Sequence, residues 1–271
     1  AMYGGRDYLE RQLNDATQSI ALAGSTFKPF ALVAALEAGI SLTSLWNGDS
    51  PQKFDDLGKP YKVSNYGNED WGQIDLLEAT KHSVNTIYVP LGQIAGLENV
   101  VDAARRSGIP ESVVMVPAPS VSLGVASPHV IDVANSYATF AAEGVYAKPY
   151  LIESVTGPNN GLLYEARRQT QEVFSKDVIA DLTYALEGVV NGGTGAAALG
   201  LGRPAAGKTG TSQSNASAWF SGYTPQLSAS VALFRDSASE SLNGIGGLSS
   251  VTGGTFPARI WTAFMKAALK G

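Results

Sequence analysis

Two serines in this chain stand three positions ahead of a lysine, Ser25 before Lys28 and Ser50 before Lys53. On a helix, positions i and i+3 share a face, so the spacing sets a hydroxyl beside an amine. A serine hydroxyl is a poor nucleophile until a base takes its proton. A lysine can be that base once its pKa falls from about 10.4, and both burial and a second nearby cation drive the fall. A Ser-x-Asn step also occurs twice, as Ser83/Asn85 and Ser241/Asn243, whereas Lys208-Thr-Gly-Thr211 occurs once. With this many serines, about one Ser-x-x-Lys match arises by chance, so context must separate the pairs. Ser25 follows Gly24 and opens an apolar segment, whose first-turn N–H groups are free to face developing negative charge. Ser50 lies in Gly-Asp-Ser-Pro-Gln-Lys-Phe-Asp-Asp, which reads as a solvated loop, and Ser241 falls beyond the Lys-Thr-Gly segment. Only Ser25, Ser83 and Lys208 run in the order Ser-x-x-Lys, Ser-x-Asn, Lys-Thr-Gly. The chemistry they point to is a serine nucleophile with a lysine as its base.

Other chemistries find less support. There are two histidines, His82 and His129, and no Gly-x-Ser-x-Gly elbow, so a Ser-His-Asp hydrolase is disfavoured. Each histidine reads as a helix-terminus or surface residue. The histidines lack metal-site spacing and there is no cysteine, so neither a metal nor another cofactor is expected. Gly202-Arg-Pro-Ala-Ala-Gly207-Lys208-Thr209 matches a phosphate-binding loop letter for letter. That motif works only where the loop joins a strand to a helix, and here it leads towards strand-like Trp219-Phe-Ser-Gly-Tyr223, so the nucleotide reading is rejected. A formal charge of −5, without any basic run, argues against nucleic acid. No stretch reaches the roughly 18 to 20 apolar residues that span a bilayer, and no basic leader is visible at the start.

These residues need elements to position them. The 44% hydrophobic and 16% charged content is that of a globular chain, not a disordered one. Residues 26–38 carry Phe27, Phe30, Leu32, Val33 and Leu36 at helical spacing, with Gly39 placed to stop the helix. The polar stretch 47–68 reads as a long surface loop. Helical patterns follow over parts of 76–93, over 97–106, and over 127–143, the last with Ser127-Pro128 as cap and first turn. Asn159-Asn160-Gly161 marks a hairpin between 150–155 and 162–165. Residues 176–190 return to helix, 206–212, 217–223 and 228–235 suggest an antiparallel meander, and 257–269 closes the chain as an amphipathic helix. Met2 to Gly4 are candidates to join the sheet. Trp46, Tyr66, Trp71, Trp219, Phe220 and Tyr223 read as core or groove walls. The expected fold is α+β: one domain over 1–271, with an antiparallel sheet flanked by helices and a helical block inserted at roughly 40–145. The sheet part is drawn from the N-terminus and roughly 175–271.

The motif order and its surroundings resemble the penicillin-binding protein and serine β-lactamase superfamily. More narrowly they are similar to the transpeptidase domain of class A (bifunctional) penicillin-binding proteins. The resemblance rests on Gly4-Gly-Arg-Asp-Tyr8, Gly24-Ser-Thr-Phe-Lys-Pro-Phe30, Asn65-Tyr66, Ser83-Val-Asn-Thr86, Ala138-Thr-Phe-Ala141 and Ala206-Gly-Lys-Thr-Gly-Thr211. It rests most on Ala218-Trp-Phe-Ser-Gly-Tyr-Thr-Pro-Gln226 and Gly253-Gly-Thr-Phe-Pro-Ala258. It implies that Ser25 attacks the carbonyl between two terminal D-alanines of a peptidoglycan stem peptide, with Lys28 as base. Ser83 would relay a proton to the leaving D-alanine, and Asn85 would hold the substrate amide and orient Lys28. The N–H groups of Ser25 and Thr211 would form the oxyanion hole. Lys208, with Thr209, Gly210 and Thr211, would bind the terminal carboxylate, and a neighbouring stem peptide would supply the acceptor amine. β-Lactams would bind covalently.

The resemblance further implies a parent with a glycosyltransferase domain and a membrane anchor, working at the extracytoplasmic face of the bacterial cell membrane. Class A chains also carry a strand ahead of Ala-Met-x-Gly-Gly-Arg-Asp-Tyr. Here it is absent, so either another segment covers that sheet edge or the chain has been trimmed. Relatives within the superfamily include hydrolases, either D,D-carboxypeptidases or β-lactamases, and non-catalytic β-lactam sensors. The deacylating Glu-x-x-Leu-Asn segment of class A β-lactamases has no match here, Glu187-Gly-Val-Val-Asn191 being the nearest. A long-lived acyl-enzyme is therefore expected.

Overall fold

The apolar run after Ser25 becomes the centre of the molecule. The computed structural model describes residues 1–56, 58–237 and 239–270, so Leu57, Ala238 and Gly271 lie outside the described residues. A 3-10 turn, Gly24–Phe27, leads directly into helix α1, Lys28–Glu37. Every residue from Thr26 to Ala35 is buried, the signature of a helix surrounded on all sides. Pro29 sits in its first turn, where no intrahelical N–H is lost.

Beyond Gly39 come β1, Leu45–Asn47, and then a ribbon of β2, Gln52–Asp56, and β3, Lys59–Val63, with Phe54 opposite Tyr61. Here the structure corrects the loop expected over 47–68. Only Phe54 is apolar in β2, and the pairing that makes it a strand is with residues the local pattern does not reveal. β4, Gln73–Asp75, pairs with β1. The helices α2, Leu76–His82, α3, Asn85–Ala95, and α4, Leu97–Ser107, follow. The block over roughly 40–145 thus carries two small ribbons besides its helices.

Helix α5, Val130–Ala141, starts three residues later than expected. Its cap is His129, with Asp132 accepting from the His129 N–H at 3.0 Å and from its ring Nδ1 at 2.9 Å. This capping box outcompetes the Ser127-Pro128 pair. β5, Val145–Ala147, pairs later with β8, Thr170–Glu172, and between them β6, Ser154–Thr156, and β7, Leu162–Glu165, form the hairpin that Asn159-Asn160-Gly161 announced. Helix α6, Lys176–Val190, is capped by Ser175.

The last third builds the sheet from β9, Ala206–Thr211, β10, Ser217–Thr224, and β11, Leu227–Phe234, in the order β11-β10-β9. Helix α7, Phe256–Ala268, covers one face. There Trp261 packs edge-on against Phe220, with centroids 5.1 Å apart, and its Nε1 reaches the carbonyls of Gly222 and Ala229. The other face holds Trp219, Tyr223 and Ala206 in one core with Phe27, Phe30, Tyr137 and Leu182 from α1, α5, α6 and the serine's turn. Truncating either buried tryptophan to alanine would cost about 3–5 kcal/mol. Met2 to Gly4 do not join the sheet. Met2 and Tyr3 are exposed, and the Gly4 carbonyl is taken by the Asp15 N–H at 2.8 Å, which folds the segment back on itself. Among the described residues no helix is long and apolar enough to cross a membrane.

Candidate active site

Ser25 sits one residue after the point where the end of the sheet comes into contact with its turn. Gly24 (φ 54°) lies so close to β9 that a Cβ there would stand 3.0–3.1 Å from the Thr211 backbone. On its other side the Gly24 N–H donates to the Gly124 carbonyl at 2.9 Å, and a Cβ on Gly124 would come within 1.9 Å of the Gly24 oxygen. Only glycine fits there. Three further bonds hold the segment: Tyr137 OH donates to the Thr26 carbonyl at 2.8 Å, while Ser217 Oγ and Trp219 Nε1 both donate to the Leu22 carbonyl. Ser25 itself is half-buried, and among the described residues its hydroxyl takes part in no hydrogen bond. It is free to meet a ligand.

Lys28, the first residue of α1, is fully buried. Its Nζ donates to the Ser83 carbonyl at 2.5 Å and to Asn85 Oδ1 at 2.7 Å, and lies 3.0 Å from Ser83 Oγ. The amine therefore faces the Ser-x-Asn corner. Ser83 follows α2 in the left-handed conformation, φ 59° and ψ 44°, which costs a serine on the order of 1–2 kcal/mol. That conformation turns its carbonyl and its hydroxyl towards the same lysine. Asn85 opens α3, and its Nδ2 donates to the Ser64 carbonyl at 2.8 Å. Asn65 accepts from both the N–H and the hydroxyl of Thr86, and donates to the Gly48 and Glu69 carbonyls. The Ser83–Asn85 corner is thereby locked to the loop beside it.

Lys208, in mid-β9, is the second fully buried lysine. Its Nζ donates to Ser83 Oγ at 2.7 Å and to the Thr209 carbonyl at 3.1 Å. One serine hydroxyl thus bridges two lysines. Burial, and secondarily the charge of Lys208, holds Lys28 well below the usual lysine pKa, and burial pushes Lys208 down to about 7. The Tyr88 ring lies under the Lys28 amine, 5.2 Å from its centroid.

The rest of β9 divides its residues between two faces. A Cβ on Gly210 would lie 2.5 Å from the Ala23 oxygen and 2.9 Å from Thr26 Cγ2, so Gly210 serves as the point of contact with the serine's turn. Thr211 Oγ1 accepts from the Gly253 N–H at 3.2 Å. Thr209 is only 6% exposed, and its hydroxyl is 2.7 Å from that of Thr194. The structure therefore brings Ser25, Lys28, Ser83, Asn85 and Lys208 to one seam, between α1, the α2–α3 corner and the outer edge of β9, with Thr209 to Thr211 along that edge.

The decoys fall elsewhere. Ser50 Oγ accepts from the Asn65 N–H at 3.0 Å, and Lys53 is an exposed residue of β2. Ser241 Oγ accepts from the Asn243 N–H at 3.1 Å. Gly202 closes a 3-10 turn, Ala196–Leu201, and Lys208 lies inside a strand, so the phosphate-loop match leads into a sheet and not onto a helix. Glu187, on α6, lines a cavity of about 590 Å³ with Thr183, Tyr184 and Tyr223. Trp71 stacks on His82 with centroids 4.4 Å apart.

Two features were not legible as functional in the sequence. Thr194 sits in Asn191-Gly-Gly-Thr-Gly195, where the glycines signal only a helix break. Tyr66, 62% exposed, reaches from the inserted block to Ser250 Oγ at 3.1 Å. Ser250 in turn accepts from Asn215 Nδ2 at 2.7 Å, which also donates to Asn243 Oδ1. This is a clasp between the inserted block and the loop after β11.

Comparison with known proteins identifies the family and the fold. The family model of the penicillin binding protein transpeptidase domain matches residues 1–241. The chain is 36% identical over 295 residues to penicillin-binding protein 1A of Mycolicibacterium smegmatis, covering all of this chain and 36% of that protein. Among solved structures, penicillin-binding protein 1A from Haemophilus influenzae superposes with a TM-score of 0.88 at 26% identity, over 98% of this chain and 45% of that one. The PonA1 protein of Mycobacterium tuberculosis in complex with penicillin V gives 0.86 at 34% identity, over 99% and 74%. The chain spans about a third of the length of the curated relatives it matches.

Proposed function

Because the chain belongs to the penicillin-binding protein transpeptidase family, we propose that it is a D,D-transpeptidase working through a Ser25 acyl-enzyme. The observation that carries this reading is the Ser83 hydroxyl held between two buried lysines, beside a serine whose own hydroxyl is unengaged. Ser25 Oγ attacks the carbonyl carbon of the terminal D-Ala-D-Ala peptide bond, and its proton passes to the Lys28 amine. Negative charge on the tetrahedral oxygen meets the N–H groups of Ser25 and Thr211, donors whose separation is set by the Gly24–Thr211 contact. Each such donor contributes roughly 3 kcal/mol in related acyl transfers. Collapse breaks the C–N bond. The leaving D-alanine nitrogen takes its proton from Ser83, which is resupplied by the lysines on either side.

The acyl ester then waits for an amine from a neighbouring stem peptide. Asn85 holds the substrate amide and fixes the Lys28 amine. Lys208, Thr209 and Thr211 face the terminal carboxylate, and Gly210 keeps the strand against the serine's turn. A β-lactam opens on Ser25 by the same attack, but its leaving nitrogen stays tethered. Residues 1–271 act as one catalytic domain, carried by a parent with a glycosyltransferase domain and a membrane anchor that hold it at the extracytoplasmic face.

Intact mass after incubation with benzylpenicillin tests the assignment. The wild type is expected to gain one drug mass and Ser25→Ala none; an adduct on Ser25→Ala would mean another nucleophile. The adduct is expected to be long-lived, and rapid turnover of a chromogenic cephalosporin would instead favour a hydrolase. A chain that is acylated yet fails to transfer a thioester acyl group to a D-amino acid would be a sensor.

A further inference from the structure

Thr194 lies outside every motif yet is fastened to the strand that carries one and to the helix that leads into another. Its N–H donates to the Lys81 carbonyl at 3.1 Å, two residues before Ser83. Its hydroxyl is 2.7 Å from that of Thr209, next to Lys208. The backbone on both sides is fixed by close packing. A Cβ on Gly193 would stand 2.5 Å from the Lys81 oxygen, and one on Gly254 would stand 2.3 Å from the Thr194 oxygen. Thr194 is exposed while Thr209 is nearly buried, and among the described residues neither hydroxyl has another hydrogen-bond partner.

Two hydroxyls at this distance share one hydrogen, and either can be the donor. We propose that Thr194 is a positioning residue for the substrate's terminal carboxylate: it donates to Thr209 Oγ1, so that the Thr209 hydrogen points outward to the anion. This rests on the D,D-transpeptidase reading of the site. The reverse orientation would aim the lone pairs of Thr209 at a negative charge. An anion therefore selects the chain Thr194 to Thr209 to carboxylate, and a donor that is itself accepting a hydrogen bond is the stronger for it. Among the described residues no other acceptor competes with Thr209 for the Thr194 hydrogen, so a bound anion decides the direction.

The test compares acylation by benzylpenicillin and by its methyl ester, which lacks the charge, in the wild type, Thr194→Val and Thr194→Ser. Loss of one hydrogen bond supporting a charged group predicts that Thr194→Val slows benzylpenicillin about five- to tenfold. The ester should change by less than about twofold, since the interaction lost is the charge-assisted one. The loss should appear in the half-saturating concentration and not in the limiting rate, and Thr194→Ser should restore it. Equal slowing of both compounds, or no effect on either, overturns the proposal. Failure of Thr194→Ser to rescue also overturns it, since the role is assigned to the hydroxyl. Labelling of Ser25 in the wild type separates the two levels: a wild type labelled elsewhere refutes the transpeptidase reading itself, whereas Ser25 labelling with equal losses refutes only the role of Thr194.

Discussion

Lys208→Met should make this protein more stable at pH 6 and less stable at pH 10. The buried ammonium has its pKa lowered by burial from 10.5 to about 7. Between those two values the unfolded chain holds a proton that the native one has lost, so stability rises with pH. At pH 6 both states are protonated, and the charge costs the native state about 1.36 kcal/mol for each unit of the shift, or roughly 5 kcal/mol. At pH 10 the native amine is neutral and the unfolded one about three-quarters protonated, which leaves a cost of about 1 kcal/mol. Methionine removes this term and also removes the donor to Ser83 Oγ and the Thr209 carbonyl, at about 1 kcal/mol each. The variant should then gain about 3 kcal/mol at pH 6 and lose about 1 kcal/mol at pH 10. Urea unfolding of both proteins at the two pH values measures this directly. The difference of about 4 kcal/mol between the two pH values follows the charge, which is present at pH 6 and absent at pH 10. Parallel pH profiles would refute the claim that Lys208 is forced towards neutrality by burial.

Three further outcomes follow from the geometry. Gly210→Ala drives a methyl into the Ala23 carbonyl and should cut benzylpenicillin labelling by about 10²-fold, the cost of misplacing one oxyanion donor; labelling at the wild-type rate would dissociate the oxyanion site from this contact. Tyr137→Phe leaves the buried Thr26 carbonyl without its donor and should lower unfolding free energy by about 1–3 kcal/mol in urea titrations. Tyr66→Phe breaks the exposed clasp to Ser250 and should leave the melting temperature unchanged while raising the second-order rate of acylation about two- to fivefold, because one surface hydrogen bond is worth at most about 1 kcal/mol. An unchanged or slower rate would show that the clasp does not limit entry.

How much of this was legible depends on the range of the interactions involved. The β9–β11 meander and α6 could be read because alternation and turn residues are local signals. Ser25 could be separated from Ser50 because an apolar helix follows one and a polar stretch the other. The ribbon of β2 and β3 could not be read, since it rests on a pairing across a polar strand with a single apolar residue. The partner of Lys28 was only half foreseen. Helical spacing places Ser25 and Lys28 together, but the serine sits in a 3-10 turn and the amine is drawn to Ser83 and Asn85, 55 and 57 residues away. The left-handed Ser83 carries no signal at all, because serine is not a residue that advertises that conformation. Met2 to Gly4, candidates to join the sheet, fold back instead through the Asp15 N–H bond to the Gly4 carbonyl.

The donor count around Ser83 limits what the site can do before a substrate arrives. Burial favours the neutral form of Lys28, which has two N–H groups and one lone pair. Two carbonyl oxygens, those of Ser83 and Asn85, accept both N–H groups. The third direction on the Lys28 nitrogen faces Ser83 Oγ, 3.0 Å away, which also accepts from Lys208 at 2.7 Å. In the proposed mechanism the base therefore rests against the group that protonates the leaving nitrogen. That nitrogen becomes pyramidal and basic only after Ser25 has added to the carbonyl, and it then takes the Ser83 hydrogen, which Lys28 replaces. Removal of the nucleophile's proton and its delivery to the leaving group are thereby joined through one hydroxyl held between two lysines.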